Sequence, residues 1–137
     1  MPFEELEHTA DVKMRILAPD FCSLFAEAGR ALASVLYGDY PREPSVLSAD
    51  IAAEGKDPGE LAVNYLSELL FLMETEYLVP QEFALSAGTG QLCGTVRGVA
   101  FDRAKHAGGI EVKGISYSGM SLTKTDTGFE LIIIFDI

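Results

Sequence analysis

Seven consecutive residues near the end of the chain, Phe129-Glu130-Leu131-Ile132-Ile133-Ile134-Phe135, constrain the fold more than any other segment. The run is rich in β-branched and aromatic side chains, so it reads as a strand. Its apolar residues fall on both faces, which predicts a central strand with neighbours on either side. A helix imposes the second constraint. Asp57-Pro58-Gly59-Glu60 is a helix start, with an Asp cap, Pro at the first position and an acid in the first turn. From there to about Leu78 the spacing of Leu61, Val63, Tyr65, Leu66, Leu69, Leu70, Leu72 and Met73 makes most of the circumference apolar. Such a helix is buried on more than one side. Phe71 interrupts its polar stripe of Asn64, Ser67, Glu68 and Thr75, and is expected to lie under a loop or strand.

The remaining elements follow by periodicity. Alternation over Val12–Ile16 predicts a half-buried strand. Asp20 caps a helix in which Phe21, Leu24, Phe25, Ala28, Ala31, Leu32 and Val35 recur at helical spacing, ending near Tyr37 at Gly38. A proline-containing loop over 39–45 precedes a strand at Val46–Ala53. Strands at Glu82–Ala87, Leu92–Phe101, Ile110–Tyr117 and Met120–Thr125 complete the set, with a compact turn at Asp126-Thr127-Gly128. The order predicts a single α+β domain over residues 1–137, with two helices packed on a largely antiparallel sheet.

Charge narrows the function classes. Ten basic residues against 21 acidic give a net charge of −11, a surface that repels phosphates rather than neutralising them. Direct, tight nucleic-acid binding is therefore not expected, and a basic protein is the better electrostatic match. No apolar run reaches the roughly 18 residues of a membrane span, and the first residues lack a signal peptide's basic and apolar regions. Cys22 and Cys93 have no CxxC partner and read as reduced thiols of a cytoplasmic protein. His106 sits in the polar stretch Asp102-Arg103-Ala104-Lys105-His106 and is expected in a solvated loop.

The two ends of the chain hold the clearest candidate chemistry. Glu7-His8-Thr9-Ala10-Asp11-Val12 lies near the start, and Phe135-Asp136-Ile137 closes the sequence. Asp136 and the main-chain oxygens of Ile137 offer hard oxygens within one residue of each other. Asp11 adds another if the two strands are neighbours of the right polarity. Clustered oxygens of this kind suit calcium or magnesium. The alternative is that Asp136 keeps a strand end soluble, that Asp11 caps a turn, and that His8 is a hydrogen-bonded structural residue. P-loop, GxGxxG, HExxH and GxSxG motifs are all absent, which argues against an autonomous enzyme.

Glu7 through Val12, Asn64 through Leu72, Phe101-Asp102 through Lys105-His106, Glu111-Val112-Lys113 and the ending Ile134 to Ile137 together resemble the archease family over nearly the whole chain. The resemblance implies an archease-like fold and a non-catalytic, metal-binding cofactor protein. Such a cofactor activates the RtcB-type tRNA-splicing RNA ligase, promoting its guanylylation and multiple turnover. It further implies binding of calcium or another divalent cation by Asp11, Asp136 and Ile137, with His8 supporting the site. Lys113 and Glu68 would belong to the activating surface. Two departures stand out: Ser116-Tyr117-Ser118 replaces the family's Thr-Tyr-His, and Tyr65 replaces the usual helix Trp. A role held by that His in relatives does not transfer to Ser118. Against this reading stand a chaperone-like interaction module without metal dependence and, further off, a metal hydrolase built on His8 and Asp11.

Overall fold

The computed structural model describes residues 11–137. Its elements are β1 (Asp11–Ala18), α1 (Phe21–Tyr37), β2 (Leu47–Glu54), α2 (Pro58–Glu76), β3 (Leu78–Gly88), β4 (Gln91–Ala100), the single turn α3 (Arg103–His106), β5 (Gly114–Thr125) and β6 (Gly128–Asp136). Every strand pair is antiparallel, and the α+β class holds. The strands divide into two three-stranded sheets, ordered β1-β6-β5 and β2-β4-β3, rather than forming one. β6 is central in the first, as its two apolar faces require. Its inner residues Leu131, Ile133 and Phe135 are fully buried, while Ile132 and Ile134 on the other face are half-buried.

Both helices touch both sheets: α1 packs on β1, β6 and β3, and α2 on β5 and β2. Asp20 and Asp57 cap them, accepting hydrogen bonds from the Ser23 and Glu60 amides at 2.8 and 2.9 Å. These satisfy amides that a helix leaves unpaired at its start. The helices share a core of Leu24, Phe25, Leu32, Tyr65, Leu66 and Leu69, all without exposure. Gly29 lets them come this close. A Cβ there would sit 2.7 Å from the Phe83 ring and 2.8 Å from the Tyr65 hydroxyl, so any side chain would force α1 outward. The Tyr65 hydroxyl itself is buried with no hydrogen-bond partner among the described residues, and burial pushes its pKa strongly upward.

Two strands depart from their predicted bounds for local reasons. β3 begins at Leu78, because the register shift between Pro80 and Glu82 accommodates a proline that has no N–H for the ladder. β5 is one strand interrupted by a wide bulge. Ser116 pairs with Ile134 and Ser121 with Ile132, leaving Tyr117 to Met120 opposite Ile133. Gly119 takes the left-handed backbone (φ 77°) that this bulge needs. Ile110–Lys113 is not strand but a docked segment, held by hydrogen bonds from Ile110 N–H to the Val35 carbonyl and from Lys113 N–H to the Asp136 carbonyl.

Two side chains, Phe71 and His106, correct the sequence reading. Phe71 is exposed rather than covered, because α2 presents that stripe to solvent between the two sheets. Cys93 is exposed on β4, and both cysteines are free. His106 is buried, not solvated. Its ring lies among Tyr37, Tyr40 and Phe101, with centroids about 6 Å away. Its Nδ1 accepts the Asp102 amide at 2.9 Å, so the ring proton sits on Nε2 and points to Glu43 Oε1 at 3.3 Å. Glu43 Oε2 also receives the Lys105 ammonium at 3.0 Å. The loop bearing Glu43 is further stitched to β3 by the Tyr40 hydroxyl on the Pro80 carbonyl and by Gln81, which bonds Pro41 and Glu43.

Two outcomes follow from this packing. Tyr65→Phe deletes an unsatisfied buried hydroxyl and should stabilise the protein by about 1 kcal/mol, raising Tm by roughly 3–5 °C in a thermal melt; a lower Tm would mean the hydroxyl has a partner. The hydrogen bond from Lys105 holds the Glu43 carboxyl below its ordinary range, and Glu43 in turn raises Lys105. A depressed carboxylate contributes stability above its ordinary pKa and loses it as pH falls through the lowered value. Glu43→Gln should therefore flatten the acid side of a Tm-against-pH curve, and an unchanged acid limb would show that the clasp contributes nothing.

Candidate functional site

The register of the first sheet places Asp11 directly opposite Asp136, with Val12 opposite Phe135. Paired residues on antiparallel strands project from the same face. Because Leu131, Ile133 and Phe135 face the core, Asp136 must face the other way, and Asp11 goes with it. Lys13 and Arg15 lie further along that outer face, and Arg15 meets Glu130 at 3.1 Å. On the other flank of β6, Gly114 is the partner of Asp136, and the Lys113 amide donates to the Asp136 carbonyl at 2.7 Å. Ile137 is half-buried and packs against the core, fixing the backbone just beyond the acid.

The strand ends thus bring together Asp11, Asp136, Ile137 and Lys113. Glu68 is not among them. It lies on the outer side of α2, in a groove with Glu54, Asn64 and Ser67. His8 falls outside the described residues. Among the described residues no group of three or more His, Cys, Asp or Glu side chains could hold a metal; Asp11 and Asp136 supply two. Two carboxylates on one face of a strand pair, with the Ile137 main chain next in sequence, form a donor set of oxygen alone. It fits a hard divalent cation such as calcium, which completes its shell with water or carbonyl oxygen. Such a pair has no soft sulfur or nitrogen ligand and is poorly suited to zinc.

A second polar constellation was not foreseen. Asn64 on α2 donates from its side-chain nitrogen to the Glu54 carbonyl of β2 at 2.7 Å and accepts the Tyr117 hydroxyl from β5 at 2.7 Å. One amide therefore ties the helix to both sheets. The bulge at Tyr117–Met120 delivers this tyrosine, swinging it off the strand ladder and over α2. In the sequence the local sign of it is Gly119, directly after Ser116-Tyr117-Ser118, which the structure holds at positive φ.

Comparison with known proteins agrees with this architecture. The profile of the archease protein family matches residues 3–137. Protein archease of Methanopyrus kandleri is 33% identical over 130 residues, covering 92% of each chain. The archease-like protein of Drosophila melanogaster is 31% identical over 147 residues, covering all of this chain and 91% of its own. In fold, the chain is similar to the solution structure of Methanobacterium thermoautotrophicum protein 1598, with TM-score 0.75, 20% identity and 96% of both chains covered. The Thermotoga maritima archease crystal structure, described as a possible chaperone, superimposes with TM-score 0.67 at 17% identity, covering 98% of this chain and 97% of that one. By the profile match and by relatives above 30% identity along nearly its whole length, the chain belongs to the archease family.

Proposed function

We propose that this chain is a non-catalytic, cation-binding activator of an RtcB-type tRNA-splicing RNA ligase, promoting guanylylation of the ligase and its repeated turnover in the cytoplasm. The observation that supports this most is the facing of Asp11 and Asp136 across one strand pair, at the end where Lys113 and Ile137 also lie. The chain's own residues would act by binding and positioning. Asp11 and Asp136 present their carboxylates on one face, the Lys113 amide holds the Asp136 backbone, and the Ile137 main chain follows directly after Asp136. Bound there, calcium or another divalent cation would supply positive charge to the paired carboxylates and an acceptor for further oxygen ligands. The activator need not hold RNA, which accords with a net charge of −11. Among the described residues no helix is long and apolar enough to cross a membrane.

A chaperone-like reading is favoured by the exposed aromatic residues Phe71, Tyr77 and Tyr117, which a client-binding surface could use. Reconstitution separates the two. Added below stoichiometry to a purified ligase, the protein should raise the guanylylation rate and sustain turnover. Asp136→Ala should reduce calcium affinity in calorimetry and activation together, each by roughly 10-fold or more. Full activation by both Asp136→Ala and Asp11→Asn would remove the strand-end pair from the mechanism. Equal action on unrelated, aggregation-prone clients, without metal, would favour the chaperone.

A further inference from the structure

The outer stripe of α2 carries large apolar surface that the fold does not use. Phe71 is 63% exposed and Tyr117 56% exposed. Asn64, Glu68, Phe71 and Thr75 recur at three- and four-residue spacing and so line one face of the helix. Tyr117 joins that face through its hydrogen bond to Asn64. Alongside runs a groove of about 460 Å³ between α2 and β2, walled by Glu54, Asn64, Ser67 and Glu68 over a floor of Ala52 and Ala53. Glu54 and Glu68 form no ion pair among the described residues. The stripe belongs to a different surface from the acid pair: α2 packs on the inner face of the first sheet, whereas Asp11 and Asp136 leave its outer face.

We infer that this face docks an arginine-bearing basic segment of a protein partner. A guanidinium group lies flat on an exposed aromatic ring while donating its N–H groups to carboxylates beside it. Phe71 and Tyr117 supply rings on the stripe, Glu68 supplies an acceptor three residues before Phe71 and four after the Asn64 that holds Tyr117, and Glu54 adds a second across the adjoining groove. An aromatic anchor ringed by polar groups is also the composition of an interface hot spot. Other occupants fit poorly. A nucleic acid would bring phosphates against Glu54 and Glu68. A second copy would bring another −11 of charge and only ten scattered bases. The inference deepens the proposed ligase activation by naming the face that meets the partner, and it rests on that reading only for the partner's identity.

The test is an amide chemical-shift titration of the full chain with a short arginine-rich peptide, its lysine counterpart and an acidic counterpart. Shifts should centre on Asn64, Glu68, Phe71 and Tyr117, be larger for arginine than for lysine, and be absent for the acidic peptide. The double variant Phe71→Ser with Glu68→Lys changes only exposed side chains, so its Tm should be that of the parent. Its affinity for the peptide should fall at least about 10-fold. Shifts scattered over all acidic surfaces, or undiminished in the double variant, would overturn the inference. So would tight binding of single-stranded RNA, or a dimer in sedimentation that Phe71→Ser dissolves. The ligase assay then separates this surface from the proposed function. If the parent activates and the double variant activates equally at limiting concentration, the docking face is wrong and the activator reading stands. If the parent itself fails to activate, the activator reading is wrong, and the peptide map decides the surface alone.

Discussion

Burial of one face of β6 sets the geometry of almost everything else. Leu131, Ile133 and Phe135 are fully buried, each contributing about 1.5–3 kcal/mol of hydrophobic stabilisation. A slip of one residue would exchange them for Glu130, Ile132 and Ile134 and turn the Asp136 carboxylate inward. Burying unpaired carboxylates costs far more than the isoleucines could recover. The core therefore locks the register, and the register decides that Asp136 faces outward beside Asp11. The candidate site needs no local device to bring its two acids together. Their positions are a consequence of the hydrophobic alternation several residues away.

The second organising element is α2, whose apolar circumference lets it serve both sheets. A helix that feeds two sheets has little polar surface left, and what remains on α2 is a narrow stripe. Asn64 uses that stripe to bond a β2 carbonyl on one side and the Tyr117 hydroxyl on the other. The bulge in β5 makes this possible by releasing Tyr117 from its ladder position. Structure and surface chemistry are coupled here. The same bulge that stitches the two sheets through Asn64 also leaves an aromatic ring exposed on the stripe that carries Glu68 and Phe71.

Sequence patterning reached the features that depend on near neighbours. The caps Asp20 and Asp57, both long helices and the central place of β6 all follow from residues within a turn or a strand of one another. It failed where a partner is distant in the chain. His106 looked solvated because its own segment is polar, yet it is enclosed by Tyr37, Tyr40 and Glu43, more than sixty residues earlier. Phe71 looked buried because it is apolar, though nothing local says which stripe of a nearly all-apolar helix stays bare. Pro80 hid the start of β3 because a proline argues against a strand unless a bulge receives it. Residue chemistry offers Asp11 as a companion to Asp136 only if their strands are neighbours, and the register of β1 on β6 is what puts them on one face. His8 lies outside the described residues.

The polar interior shows how the protein handles segments that neither helix nor ladder secures. The 39–45 loop and α3 have few backbone hydrogen bonds of their own, and buried side chains replace them. His106 accepts from the Asp102 amide and donates toward Glu43, and Gln81 bonds Pro41 and Glu43. Each of these groups is satisfied, which is the condition under which a buried polar network supports a fold. Tyr65 is the exception within the described residues, a hydroxyl buried against Gly29 and Phe83 with no partner. Its ring stacks on Phe25 with centroids 5.5 Å apart, so the ring supplies the packing and the oxygen contributes only its desolvation cost. The position therefore demands an aromatic ring and not a phenol, so hydroxyl and ring can be separated by a single substitution without disturbing the strand register that holds Asp11 opposite Asp136.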